Sequence, residues 1–142
     1  KRVFEVHGSL GTMTCIQCGL AQPSEPYFPK FIERGEIPRC PRCAGVLKPD
    51  VILFDELLPP HIWEQAYDHA VHCDVMLVVG SSLEVLPVGG LPAEAVRRGA
   101  TLIINNRQPT YMDHRAVIVL RGDLAEVIPA LAEAILQAAS SW

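Results

Sequence analysis

Four of the five cysteines fall in two Cys-x-x-Cys pairs, Cys15 with Cys18 and Cys40 with Cys43, separated by 21 residues. Each pair fits a tight turn that aims two sulfurs at one point, and two such turns supply the four thiolates of a tetrahedral zinc site. The spacer is slightly longer than the usual run of about 15 to 20 residues. Gly19, Pro38, Pro41 and Gly45 provide the turn chemistry around the pairs. Two disulfides are the alternative. They need an oxidising compartment, and the start of the chain, Lys1 to Glu5, has no signal-type apolar core. A redox role is weaker, because neither pair sits between a strand and a helix. Four thiolates leave no open coordination position, so the expected zinc is structural, one per chain. Cys73 is expected to be a buried small hydrophobe.

The other chemistry-bearing residues follow apolar runs. Gly80, Ser81 and Ser82 come directly after Val75 to Val79, and Asn105 and Asn106 close the run that begins at Thr101. In an open parallel sheet, ligands bind at the carboxyl ends of the strands, where amide N–H groups, hydroxyls and carboxamides can meet a phosphate or a ribose. The Gly-x-Gly-x-x-Gly dinucleotide fingerprint is absent from the chain.

Positioning these groups requires an α/β scaffold with a small insert. Strands are expected at Val3 to Val6, Val51 to Phe54 (buried on both faces), Asp74 to Val79, Thr101 to Ile104 and Ala116 to Leu120. Helices are expected from Pro59 or Pro60 to about His72, from Val88 to Arg98 with Gly99 as its stop, and from Leu124 to Ala138 with Asp123 as N-cap. The fold class is therefore α/β, a parallel Rossmann-like sheet with its N-terminal half missing and an inserted four-cysteine zinc-ribbon module. Residues 13–46, rich in Pro, Gly and Cys, form the module, and residues 1–12 with 47–142 form the Rossmann-like part.

A length of 142 residues allows one core plus one module, and 49% hydrophobic against 20% charged residues excludes intrinsic disorder. The net charge of -4, with no Lys/Arg block longer than two, lacks the footprint of a nucleic-acid binder. Apolar runs such as Val75 to Val79 reach five residues, where a membrane span needs about 20. The expected setting is cytoplasmic.

The order of motifs adds a family. Val6-His7-Gly8-Ser9, the two Cys-x-x-Cys pairs, Leu47-Lys48-Pro49-Asp50-Val51-Ile52-Leu53-Phe54-Asp55-Glu56, Val79-Gly80-Ser81-Ser82-Leu83, Leu86-Pro87, Leu91-Pro92, Ile104-Asn105 and Gly122-Asp123 together resemble the sirtuins, NAD-dependent protein-lysine deacylases. The resemblance covers essentially the whole chain and implies the C-terminal part of the catalytic domain. The family's Gly-rich phosphate loop, flexible cofactor loop and Gln-Asn-Ile-Asp motif fall outside it. By motif, His7 matches the catalytic histidine, a base for a ribose hydroxyl in a reaction that yields free lysine, nicotinamide and O-acyl-ADP-ribose. Gly80, Ser81 and Ser82 match NAD contacts. Asn105, with Asn106 beside it, matches the ribose ligand, and Leu124 a residue near adenine. Ile52, Phe54 and Asp55 match the segment that pairs with an acyl-lysine peptide as an added strand. Asp55 stands where the family usually has Gly, and strand alternation places it on the face opposite Phe54. Glu56 has no catalytic role assignable from sequence, and His61, His69, His72 and His114 are expected on the surface. The implied partners are NAD and an acyl-lysine protein or peptide, with no nucleic acid and no membrane. The alternatives are a non-catalytic zinc-ribbon interaction module and an ADP-ribosyl transferase of the same family.

Overall fold

The computed structural model describes residues 2–140. Residues 1, 141 and 142, at the ends of the expected Rossmann-like part, lie outside the described residues. The chain divides into two compact units, Lys1–Trp63 and Glu64–Trp142. The expected 13–46 module falls inside the first.

The first unit is built on an antiparallel sheet in the order β2-β1-β3, with β1 Gly8–Cys15, β2 Ala21–Pro23 and β3 Leu47–Val51. Strand β1 was not among the expected elements, and the strand expected at Val3 to Val6 is absent, with Val6 and His7 in a turn instead. The reason lies at Gly8, whose φ is +71° and where a Cβ would sit 1.9 Å from the Asp50 carbonyl oxygen. Only glycine lets the two backbones approach this closely, so pairing starts there. A register shift separates the Gly8↔Val51 pair from the run Met13↔Pro49 to Cys15↔Leu47. Helix α1, Phe28–Arg34, ends at Gly35 in the left-handed conformation. Met13, Cys15, Cys40 and Leu47 form the buried core of this unit, with Leu20, Tyr27 and Phe28 packed against it.

The expected Val51 to Phe54 strand is a correction. Pairing ends at Val51, the run lies at the end of an antiparallel rather than a parallel sheet, and Phe54 is 91% exposed. A short apolar run carries no signal for the direction of its partner, and here the partner was the unforeseen β1.

Helix α2, Pro60–Val71, contains the boundary between the units. The second unit is a parallel sheet in the order β4-β5-β6: β4 Val75–Val79, β5 Thr101–Asn105 and β6 Ile118–Leu120. The register is continuous from Val75↔Thr101 to Val79↔Asn105. A short 3-10 turn, Val88–Gly90, leads into α3, Leu91–Arg97, in place of the single helix expected from Val88 to Arg98. Pro92 suits the first turn of α3, where its missing N–H is not needed. Val78, Leu83, Leu102, Ile104 and Met112 form the core on the side that α3 covers through Ala93 and Val96. The opposite face shows Val75, Leu77, Val79 and Ile118 substantially exposed. Helix α4, Leu124–Ala139, begins as expected at Asp123, whose Oδ1 accepts the Ala125 N–H at 2.8 Å. Among the described residues no helix is long and apolar enough to cross a membrane.

Candidate functional site

The two Cys-x-x-Cys turns are built alike. In each, the residue after the second cysteine is left-handed, Gly19 at φ 67° and Ala44 at φ 60°. Its N–H donates to the carbonyl of the first cysteine, Gly19 to Cys15 and Ala44 to Cys40, both at 2.9 Å. The first cysteine's N–H then donates to the next residue's carbonyl, Cys15 to Leu20 at 3.0 Å and Cys40 to Gly45 at 2.8 Å. Isolated pairing of Arg39 with Val46 closes the second turn.

The four sulfurs lie within 4.8 Å of one another, with Cys15 and Cys43 Sγ 3.5 Å apart and Cys18 and Cys40 Sγ 3.6 Å apart. Tetrahedral zinc with bonds near 2.3 Å needs sulfurs about 3.8 Å apart, so the donor set fits the ion. All five cysteines are free thiols, and Cys73 is half-buried with its Sγ donating to the Ala70 carbonyl. The Leu20 N–H and then the Arg42 guanidinium bring Cys18 down to about 6. At Cys43 the Gly45 N–H pulls downward, but sharing a proton with Cys18 and Cys15, together with burial, carries the thiol up to about 12. Four adjacent sulfurs cannot all ionise alone, and a divalent cation supplies the missing positive charge. Gly45 leaves room beside them, since a Cβ there would lie 3.0 Å from Cys15 Sγ and would displace the Gln17 carboxamide, 2.5 Å away.

A second feature of the same unit joins His7 to the segment after β3. His7 is exposed, in the turn before β1, and its carbonyl accepts the Ile52 N–H at 2.9 Å. The chain then makes a turn over 53–56, closed by the Glu56 N–H donating to the Leu53 carbonyl at 3.1 Å. Asp55, third in the turn, has φ 68°. That is the position at which a type II turn calls for glycine. The face assignment by strand alternation is therefore corrected: Phe54 and Asp55 are turn residues, both exposed. His61, His69, His72 and His114 are all exposed.

In the second unit, a cleft of about 280 Å³ is lined by Gly80, Asn106, Arg107, Asp123 and Leu124, at the carboxyl ends of β4 and β5 and the start of α4. Gly80 has φ 61°, a backbone conformation that favours glycine, and a Cβ there would lie 2.7 Å from Leu124 Cδ1, so that side chain would have to shift. Its N–H donates to the Asn105 carbonyl at 3.0 Å. The Asn106 N–H donates to the Leu120 carbonyl, and its Nδ2 to the Gln108 carbonyl. Arg107 pairs with Asp123. Arg121 holds the adjoining loop by donating to the carbonyls of Asn106 and Gln108 and pairing with Asp113.

Of the residues singled out from sequence, Gly80, Asn106 and Leu124 come together at this cleft. Asn105 does not line it. It is fully buried, and neither atom of its carboxamide has a hydrogen-bond partner. Ser81 Oγ accepts the Leu83 N–H at 3.2 Å, and Ser82 is exposed. Arg107 and the anchor Leu83 were missed. Leu83 is left-handed and buried, over Gly89, where a Cβ would lie 2.3 Å from its carbonyl oxygen. The only sequence signal for this anchor was the pair Gly89-Gly90 seven residues downstream of Ser82.

Comparison with known proteins agrees with this geometry. Residues 1–87 match the family model described as Sir2 family. The chain is 40% identical over 140 residues to NAD-dependent protein deacylase 2 of Archaeoglobus fulgidus, covering 95% of this chain and 53% of that protein. It is 39% identical over 138 residues to NAD-dependent protein deacetylase 1 of Geobacillus kaustophilus, covering 96% and 54%. A solved structure of a Sir2 enzyme superposes with a TM-score of 0.90 at 38% identity, covering 99% of this chain and 56% of that one. A Sir2 protein bound to a propionylated peptide gives 0.85 at 30% identity, covering 94% and 56%. The chain thus spans about half the length of the curated relatives it matches. With a family model matched over more than half of its residues and relatives about 40% identical over nearly all of it, the chain belongs to the Sir2 family.

Proposed function

We propose that this chain supplies the zinc-bearing, peptide-docking and adenosine-contacting parts of an NAD-dependent protein-lysine deacylase. The observation that carries the reading is the cleft at the carboxyl ends of β4 and β5, lined by left-handed Gly80, Asn106 and Leu124. Its position is where parallel sheets take nucleotides. Asn106, on the wall of the cleft, is the residue to meet ribose hydroxyls, and Leu124 covers one side of the base. Asn105, behind it, accepts the Gly80 N–H at its carbonyl and keeps a buried carboxamide without a partner, the group the family motif assigns to ribose. The Arg107–Asp123 pair makes the rim polar without net charge, which suits a neutral adenosine.

In the first unit, His7 is the base and the segment from Ile52 to Asp55 is the edge to which an acyl-lysine peptide adds as a strand. NAD supplies the leaving nicotinamide and the ribose that accepts the acyl group. His7 takes a proton from a hydroxyl of that ribose at a ring nitrogen. The zinc holds the turns and takes no part. Four metal-directed thiols suit a reducing, cytoplasmic setting.

The test is nicotinamide release from NAD in the presence of an acetyl-lysine peptide, with protein of the relatives' full length. Gly80→Ala and Asn106→Ala are expected to raise KM for NAD about tenfold, one lost charge-neutral contact or its equivalent. Nicotinamide release that proceeds equally without acyl-lysine, with ADP-ribose transferred to protein, would replace deacylation by ADP-ribosyl transfer.

A further inference from the structure

The turn over 53–56 is held by more than its own backbone bond. Glu56 reaches back so that its Oε2 accepts the Leu53 N–H at 2.9 Å, while its own N–H donates to the Leu53 carbonyl. The two ends of the turn are thereby bonded reciprocally. The same Oε2 accepts from Lys48 Nζ at 3.0 Å. Lys48 lies on β3, and its ammonium also donates to the carbonyls of Val51 at 3.0 Å and Pro49 at 3.4 Å. One ammonium and one carboxylate thus tie the last ladder residues to the turn beyond them. At that turn Phe54 is 91% exposed and Leu57 90%, and Asp55 is in a backbone region that Asp enters only at a cost. A segment with exposed apolar residues and an unfavourable φ would relax unless something held it.

We propose that Lys48 and Glu56 are positioning residues for peptide docking: their ion pair, bonded to both ends of the 53–56 turn and to the Val51 carbonyl, presets the edge that an acyl-lysine peptide joins. The inference rests on the docking reading given under Proposed function. Its physical basis is preorganisation, since an edge already held in its bound shape loses less entropy when a strand adds to it. Neither side chain needs to touch the acyl-lysine. Both are about one-third exposed and lie beside the turn, so the effect belongs to binding and not to the chemical step.

The experiment uses protein of the relatives' full length, loaded with zinc, and a fluorescent acetyl-lysine peptide. Affinity is measured by anisotropy, and hydrogen exchange of the Leu53 amide by NMR. For Glu56→Ala and Lys48→Met, we expect peptide affinity to fall about tenfold, the order of one charge-assisted hydrogen bond. The Leu53 amide should exchange at least about tenfold faster in Glu56→Ala, which removes its acceptor. Lys48→Arg, which keeps a cation in reach, should restore most of the affinity, a recovery that a purely packing role would not produce. Zinc stoichiometry should be unchanged throughout and shows that each variant is folded. Should Glu56→Ala lose its zinc, Glu56→Gln takes its place with Lys48→Met, and peptide affinity alone then decides, because Gln keeps an acceptor for the Leu53 N–H. Wild-type binding with unaltered affinity in the variants, or unaltered exchange at Leu53 in a folded Glu56→Ala, overturns the brace and leaves the docking reading standing. Wild-type protein of that length that binds no acetyl-lysine peptide overturns the docking reading, and the brace with it.

Discussion

Among the described residues, three that are not glycine adopt left-handed backbone conformations: Ala44, Asp55 and Leu83. Each is held by its surroundings, Ala44 by the second zinc turn, Leu83 by its burial over Gly89, and Asp55 by the bonds at the ends of its turn. Asp55 is the exposed one, with nothing gained from its side chain to offset the φ, so Asp55→Gly is predicted to raise stability. The gain should be about 0.5 to 1 kcal/mol, or a few degrees in melting temperature, read by calorimetry. An unchanged or lower melting temperature would show that the Asp side chain stabilises the turn. The departure from the usual family Gly was legible in the sequence, but its meaning was not. Alternation along a strand suggested a question of faces, whereas the actual constraint is one of φ. Asn105 and Asn106 teach the same lesson. Adjacent identical residues are indistinguishable by type, and only their burial separates the one inside the sheet from the one on the cleft.

Among elements, the zinc turns were the most legible, because two thiolates three residues apart can converge whatever surrounds them. Cys40→Ser, or chelation of the metal, is predicted to lower the melting temperature by roughly 10 °C or more, since metal binding in such turns is folding energy. Less than one zinc per folded wild-type chain would contradict the assignment. The loop after β5 offers a pH test. At Asp113 burial opposes ionisation, but Thr110 and the Arg121 guanidinium outweigh it and hold the carboxyl below its ordinary value of 3.8. A depressed native pKa gives stability that is present above the unfolded value and lost as pH falls below it. Wild type should therefore lose melting temperature more steeply than Asp113→Asn between about pH 4 and the acid limit. Parallel slopes would remove Arg121 and Asp113 from the brace of the Asn106 loop. Strands were read less well. The run Val51 to Phe54 has a strand's composition, yet pairing stops at Val51, because the chain before Gly8 is in a turn at Val6 and His7, and His7 accepts only the Ile52 N–H.

For the whole molecule, the reading of His7 as the base predicts a split between binding and turnover. In protein of the relatives' full length, His7→Ala should leave zinc content and NAD affinity within about twofold while turnover falls by about 10² to 10⁴, the range for a lost general base. Retained turnover in that variant would take His7 out of the chemistry. The sequence by itself determined the zinc ligands, the parallel β4-β5-β6 scaffold with its capped last helix, and the order of motifs that marks the family. These depend on short-range spacing, on apolar periodicity and on caps, all local properties of the chain. Tertiary structure alone decided that β1 pairs with β3, that Asn106 rather than Asn105 lines the cleft, and that Lys48 and Glu56 meet at the turn. Those facts join residues far apart in sequence, or turn on which way one side chain faces. Both are set by the packing of the chain against itself, on which composition and spacing carry no information.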